Sequence, residues 1–151
     1  MSNDLKIPAI YIPICDSNLW VLKIYAYLFN KFWPSNQKVV ILGFKNPDFE
    51  LPENFQFISM APSQEGGANM WTRYIHDYLM TIEDEYLIFS LEDFFAIAEP
   101  DIEILSNLFN HMLKDKTIGR CDITWDSFVN IFDRHNPCRK DNSYKVIEKN
   151  K

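Results

Sequence analysis

The chain has 151 residues, of which 47% are hydrophobic and 15% aromatic, with only 4 glycines, so it can bury a core and is neither disordered nor fibrous. Its 15 basic and 21 acidic residues give a formal net charge of −6. This balance disfavours nucleic-acid binding, because cations are needed there to neutralise phosphates. The three cysteines show no CxxC spacing, which disfavours a disulfide scaffold or a zinc knuckle and favours a reducing compartment.

No targeting segment is indicated. The N-terminus lacks a basic region followed by a long apolar run, and the most apolar stretch, 18–33, contains two lysines and stops at Pro34. Such a stretch is too short and too charged to span a bilayer. We therefore expect a cytoplasmic protein without a transmembrane segment.

The first half of the chain predicts a strand over 9–15, a helix over 18–33, and strands over 38–44 and 55–60. The 38–44 run is β-branched and continuous, which is typical of a parallel strand buried on both faces. Asp16 or Ser17 is expected to cap the first helix. That helix is apolar on nearly every side, and a single polar stripe at helical spacing contains Lys23, Tyr27, Asn30 and Lys31.

The second half begins with a loop over 61–67 that holds two adjacent glycines, followed by a helix over 68–82 and a strand over 85–91. A third helix is predicted to begin at Pro100, a favoured first helical residue. Its inward positions are Ile102, Leu105, Leu108, Phe109 and Met112. A last strand is predicted over 117–123, and the polar stretch 136–151 is expected to be a poorly ordered tail.

Strands that alternate with helices predict an α/β fold with an open, mainly parallel sheet and helices on both faces, a Rossmann-like three-layer sandwich. We expect one domain over 1–135. In such a sheet, ligands bind beyond the carboxyl ends of the strands, where the strand order reverses. The candidate site is therefore expected at the polar residues that follow the strands.

Two predicted strands end in acidic residues. Asp16 follows the first strand, and Glu92 and Asp93 follow the fourth. If these strands are neighbours, three carboxylates converge on one crevice, an arrangement that suits a hard divalent cation. The alternatives are a solvated strand end for Glu92 and Asp93 and a helix cap for Asp16.

The stretch Met70-Trp71-Thr72-Arg73, followed by Tyr86-Leu87-Ile88-Phe89-Ser90-Leu91-Glu92-Asp93-Phe94-Phe95, resembles a glycosyltransferase of the GT-A type, similar to family 2. Members have an amphipathic helix, a hydrophobic strand and then an acidic motif of the DxD kind. Here that motif is Leu91-Glu92-Asp93, so its first position is not acidic. The resemblance extends over about 7–125 as a pattern, including the strand before Asp16.

This resemblance implies a nucleotide-diphospho-sugar donor and a glycan, lipid or protein acceptor. Asp93 would hold a manganese or magnesium ion on the donor diphosphate, and Glu92 would contact the metal or the sugar. Asp16 would lie near the nucleoside, and Asn69 and Arg73 would face the donor. A metal and an arginine would stabilise the charge on the leaving diphosphate. For Arg73 an ordinary solvent-facing position is the alternative.

Trp125 and Asp126 follow the last predicted strand, where an aromatic ring could stack on an acceptor sugar and Asp126 could act as the catalytic base. GT-A enzymes have a further segment that builds the acceptor site. The chain is therefore expected to be either a truncated or minimal enzyme or a catalytically silent module that self-associates or binds a partner chain. Another doubly wound nucleotide binder is disfavoured, because no glycine-rich phosphate loop follows any strand.

Overall fold

The computed structural model describes residues 7–34, 36–61, 68–123 and 145–148. The described residues fall into two compact units, one comprising Ile7–Pro100 and the other beginning at Asp101. Within the described ranges, no helix is both long enough and apolar enough to cross a membrane.

The unit Ile7–Pro100 is built from four strands and two helices. In chain order they are β1 (Ile10–Pro13), α1 (Val21–Phe32), β2 (Val39–Gly43), β3 (Phe55–Ser59), α2 (Ala68–Leu79) and β4 (Ile88–Phe89). A short 3₁₀ turn, Asp16–Asn18, lies between β1 and α1. The elements match the predicted order, although most are shorter than the sequence pattern suggested.

All pairings in the four-stranded sheet are parallel, and the strand order is β3-β2-β1-β4. Ile10 is in register with Val39 on one side and with Ile88 on the other. The chain moves outward from β1 to β3 and then returns to the far side of β1, so the strand order reverses between β1 and β4. The predicted parallel α/β sheet is confirmed, and its switch point lies between the strands that precede the candidate acidic residues.

The two helices cover opposite faces of this sheet. Successive side chains of a strand point to opposite faces, and the core divides accordingly. In one cluster, Leu22 and Phe29 of α1 pack with alternate strand residues, including Ile10, Ile12, Val39 and Ile41. In the other cluster, Trp71 and Ile75 of α2 pack with the intervening strand residues, including Tyr11, Val40 and Leu42. The unit is therefore a helix–sheet–helix sandwich with one core cluster on each face of the sheet.

β4 is much shorter than the predicted 85–91 strand, and Pro13 explains why its pairing stops. The N–H groups of Ile10 and Ile14 both donate to β2, to Lys38 O at 3.0 Å and Leu42 O at 2.8 Å. Because N–H groups alternate between the two neighbouring strands, position 13 faces β4. Proline has no N–H to donate there. The ladder between β1 and β4 therefore ends with the bond from Ser90 N to Tyr11 O, 3.0 Å long.

The second unit contains α3 (Ile102–Lys114), β5 (Ile118–Asp122) and β6 (Lys145–Glu148). Asp101 caps α3 through a 3.0 Å bond from Ile104 N, so the helix begins later than the predicted Pro100. Four of the five predicted inward residues are buried, whereas Ile102 is exposed. β5 pairs antiparallel with β6 in a separate two-stranded sheet. β6 was not anticipated within the polar stretch 136–151.

Candidate functional site

The candidate site lies at the carboxyl ends of β1 and β4, which are adjacent parallel strands. Asp16 follows β1 by three residues, and Glu92 and Asp93 follow β4 by three and four. The structure therefore brings these three sequence-predicted residues to the same edge of the sheet, at the point where its strand order reverses. Ligands of open α/β sheets bind at this type of edge.

Asp16 connects β1 to the next strand rather than capping α1. Its Oδ1 accepts a 3.1 Å hydrogen bond from the backbone N–H of Lys45, two residues after β2. α1 begins with Trp20 as its N-cap, and no side chain bonds to its first turn. The prediction that Asp16 or Ser17 caps this helix was therefore wrong, because the residues after β1 form a 3₁₀ turn before the helix starts.

Glu92 is joined to the turn that follows β1. Asn18 Nδ2 donates a part-buried hydrogen bond of 2.8 Å to Glu92 Oε1. This bond orients the Glu92 carboxylate across the switch point, between the two strand ends. The neighbouring Asp93 side chain is exposed to solvent. Glu92 is thus the fixed member of the acidic pair, and Asp93 is the accessible member.

Tyr25 of α1 contacts the segment that follows β4. Its ring is 3% exposed and lies 6.4 Å, centroid to centroid, from the ring of Phe95. Burial raises the pKa of Tyr25 to about 12, and a hydrogen bond with Ser90 opposes part of that rise. Together with Asn18, Tyr25 attaches Ser90–Phe95 to the layer formed by the 3₁₀ turn and α1.

Within the part of the chain that the structure describes, no three His, Cys, Asp or Glu side chains are grouped so as to hold a metal ion. Glu92 and Asp93 are adjacent in sequence, and carboxylate oxygens are the ligands that Mg²⁺ and Mn²⁺ prefer. Glu92 binds Asn18 through one oxygen only. A carboxylate has about four lone-pair sites, so the Glu92 carboxylate still has lone pairs that could coordinate a cation.

The α2 candidates have different environments. Arg73 is largely exposed, on the face opposite Trp71 and Ile75, and its Nε lies 3.7 Å from Asp77 Oδ2. This solvent-exposed ion pair is the arrangement expected of an ordinary surface arginine, and it contributes little to stability. The backbone of Asn69 lies in the first turn of α2. The Asn69 side chain, both glycines of the preceding loop and Asp126 lie outside the described residues.

Sequence reasoning missed Asn18 and Tyr25 as contributors to this edge. Asn18 was placed only at the start of the predicted helix 18–33, and its partner Glu92 is 74 positions away in the chain. A long-range side-chain bond of this kind leaves no local pattern. Tyr25 lies on the apolar surface of α1, where composition alone indicates core packing.

Comparisons of the chain with family models, with curated proteins and with solved structures returned no match.

Proposed function

We propose that the chain binds a nucleotide-diphospho-sugar and belongs to the GT-A type of metal-dependent glycosyltransferase, whose fold extends the small α/β sandwich described above. The observation that carries this proposal is the position of Asp16, Glu92 and Asp93. They follow two adjacent parallel strands at the switch point of the sheet. This is the place where a nucleotide ligand enters an open α/β sheet.

In this proposal the acidic residues have separate roles. Asp16, fixed by Lys45 N, presents a hydrogen-bond acceptor for the nucleoside. Asp93 is the exposed carboxylate that would hold Mn²⁺ or Mg²⁺, and Glu92, oriented by Asn18, would contact the metal or the sugar. The cation, when bound, would supply positive charge against the donor diphosphate.

Glycosyl transfer breaks the bond between the anomeric carbon and the diphosphate oxygen, and negative charge gathers on the leaving group. Preorganised positive groups lower the energy of that transition state. Arg73 is the cation of this chain proposed for the role, with a bidentate contact to phosphate as the mechanism. It would have to exchange its 3.7 Å contact with Asp77 for the ligand, a small loss for an exposed pair. The family resemblance implies two further site residues: Asn69 would face the donor, and Asp126 would act as the catalytic base.

Calorimetric titration with uridine and guanosine diphosphates, with and without MnCl₂, tests the proposal. We expect binding that requires Mn²⁺ and weakens by about tenfold or more in Asp93→Asn. Asp84→Asn is the matched control, because Asp84 is also exposed but precedes β4 instead of following it. Equal binding with and without Mn²⁺, equal loss in both variants, or no binding of either nucleotide would contradict the proposal.

A catalytically silent binding module is the second candidate. Leu91, Phe94, Phe95 and Ile97 are all exposed, directly around the acidic motif. An apolar cluster of this kind favours association with another chain or a second copy. The two candidates differ in turnover: the enzyme releases nucleoside diphosphate from a donor sugar in an Asp93-dependent manner, whereas the module binds the donor and leaves it intact.

A further inference from the structure

A groove lies along the polar stripe of α1. It has a volume of about 620 Å³ and is lined by Lys23, Ala26, Tyr27, Asn30, Lys31, Phe49, Glu50 and Pro52. This volume is within the range of pockets that hold small ligands. One wall is the polar stripe of α1, and the other is the loop between β2 and β3.

The loop wall is fixed to the helix at both ends of the groove. Asn30 and Asn54 exchange two hydrogen bonds, of 3.2 and 2.9 Å, and Asn54 also donates to Gln37 O at 3.1 Å. At the other end, the Lys23 ammonium lies 4.6 Å from the centre of the Phe49 ring. Phe49 itself packs against the core on the α1 side of the sheet. These contacts hold the two walls of the groove together.

Its charge is opposite to that of the chain as a whole. Its lining contains two lysines, Lys23 and Lys31, and one acidic residue, Glu50, whereas the chain carries a net charge of −6. Among the described residues, no carboxylate lies within 4.0 Å of either ammonium group. Tyr27 lies between the two lysines on α1 and is largely exposed. The groove is therefore lined by two lysines with an aromatic side chain between them, and the Lys31 ammonium lies 5.1 Å from the centre of the neighbouring Phe32 ring.

The spacing of these groups matches an extended peptide. Lys23, Tyr27 and Lys31 are at i, i+4 and i+8 of α1, so the lysines are separated by about 12 Å along the helix. In an extended strand, residues at i, i+2 and i+4 share one face, and the outer two are about 13 Å apart. Acidic residues at both ends and an apolar residue in the middle would meet the two lysines and the aromatic centre.

We propose that this groove binds a short acidic segment of a partner protein in extended conformation, with the pattern acidic-x-apolar-x-acidic. The walls of Tyr27, Phe49 and Pro52 take the apolar residue, and Lys23 and Lys31 pair with the terminal carboxylates. Glu50 selects against additional negative charge at the middle of the segment. This inference is independent of the proposed donor site, since none of its residues belongs to the acidic edge.

The test is a titration of the ¹⁵N-labelled chain with the blocked peptide Glu-Ser-Leu-Ser-Glu, followed by amide chemical shifts. We expect saturable shifts in α1 and in the loop between β2 and β3. The peptide Gln-Ser-Leu-Ser-Gln and the variants Lys23→Gln and Lys31→Gln should each bind more weakly, by roughly two- to fivefold per charge pair lost. Glu-Ser-Ser-Ser-Glu should also bind more weakly, because it lacks the apolar residue.

Lys38→Gln is the matched control, because Lys38 is an exposed lysine outside the groove. The Lys38→Gln variant should bind the peptide with the same affinity as the parent chain. The spectrum of each free variant shows whether it is folded. No saturable shift, equal affinity for the glutamine peptide, shifts outside the groove, or an equal loss in Lys38→Gln would overturn the proposal.

Discussion

Asn18 and Glu92 are joined by a 2.8 Å hydrogen bond between the turn after β1 and the segment after β4. The backbone ladder between these strands pairs only Ile10 with Ile88 and Tyr11 with Phe89. Beyond Ser90, the position of the acidic segment depends on side chains, and the Asn18 amide is the polar group that reaches Glu92. Substitutions of Asn18 and Glu92 therefore test how much this bond contributes to holding the two strand ends together.

Asn18→Ala should destabilise the chain by about 1 kcal/mol, the usual net value of such a hydrogen bond. Urea unfolding measures this loss. Glu92→Gln keeps a side-chain acceptor oxygen and should cost less than Asn18→Ala. If the two residues act through this bond, the double variant Asn18→Ala/Glu92→Ala should cost clearly less than the sum of the two single alanine variants. Strict additivity would contradict the coupling.

Gly43→Ala should destabilise the sheet by roughly 1–3 kcal/mol through overpacking. A Cβ added at Gly43 would lie 2.8 Å from the Cε2 and Cζ atoms of Phe57 and 3.3 Å from Ile14 Cγ2. The Phe57 ring is partly buried and packs against the core on the α1 side of the sheet. Thermal or urea unfolding measures the effect.

The control for Gly43→Ala is a second substitution that removes the opposing ring. In the Phe57→Leu background, Gly43→Ala should cost less stability than it does in the parent chain. Phe57→Leu alone is destabilising. A Gly43→Ala variant as stable as the parent would contradict the predicted overpacking against Phe57.

The folding stability of the chain should depend on Tyr25 at alkaline pH. Burial raises the pKa of Tyr25 from 10.0 to about 12, so the unfolded chain ionises first. The contribution is fully present below pH 10 and is lost as the pH rises from about 10 to about 12. A difference of about two pKa units corresponds to roughly 2–3 kcal/mol.

Tyr25→Phe isolates this dependence from the ionisation of other groups. The difference in the free energy of unfolding between the parent chain and Tyr25→Phe should be constant from pH 8 to about 9.5 and then shift against the parent as the pH approaches 12. Urea unfolding at successive pH values measures it. A constant difference throughout the range would contradict the raised pKa.

Asp101→Ala should weaken the start of α3 by about 1 kcal/mol, because Asp101 Oδ1 accepts the 3.0 Å bond from Ile104 N. Asp101→Asn keeps a capping oxygen and should be close to the parent in stability. Amide hydrogen exchange in the first turn of α3 measures the local effect. Equal protection in the parent and Asp101→Ala would contradict the capping role.

The parallel sheet could be predicted because its central strands have a simple pattern. β2 is a continuous β-branched run that is buried on both faces, which is the expected signature of a central parallel strand. The amphipathic pattern of α2 correctly placed Trp71 and Ile75 toward the sheet. These features follow from local periodicity, which depends only on neighbouring residues.

The remaining features depend on contacts between distant residues. The run 85–91 looks like a full strand, but only Ile88 and Phe89 pair with β1, and Pro13 of that strand ends the pairing. β5 has the composition of a strand, but its antiparallel partner β6 lies in a stretch without a clear pattern. At the site, the acidic residues could be located by their place after the strands, whereas the partners of Asp16 and Glu92 could not.

The strands of the sheet are not equally paired. β2 and β3 share five paired positions, whereas β1 and β4 share two. The segment carrying Glu92 and Asp93 is therefore attached to the least extensively paired strand of the sheet, while the densely bonded strands β1–β3 hold most of the core. Substitutions in the acidic segment should therefore disturb the sheet less than substitutions in β1, β2 or β3, whose side chains form most of the core.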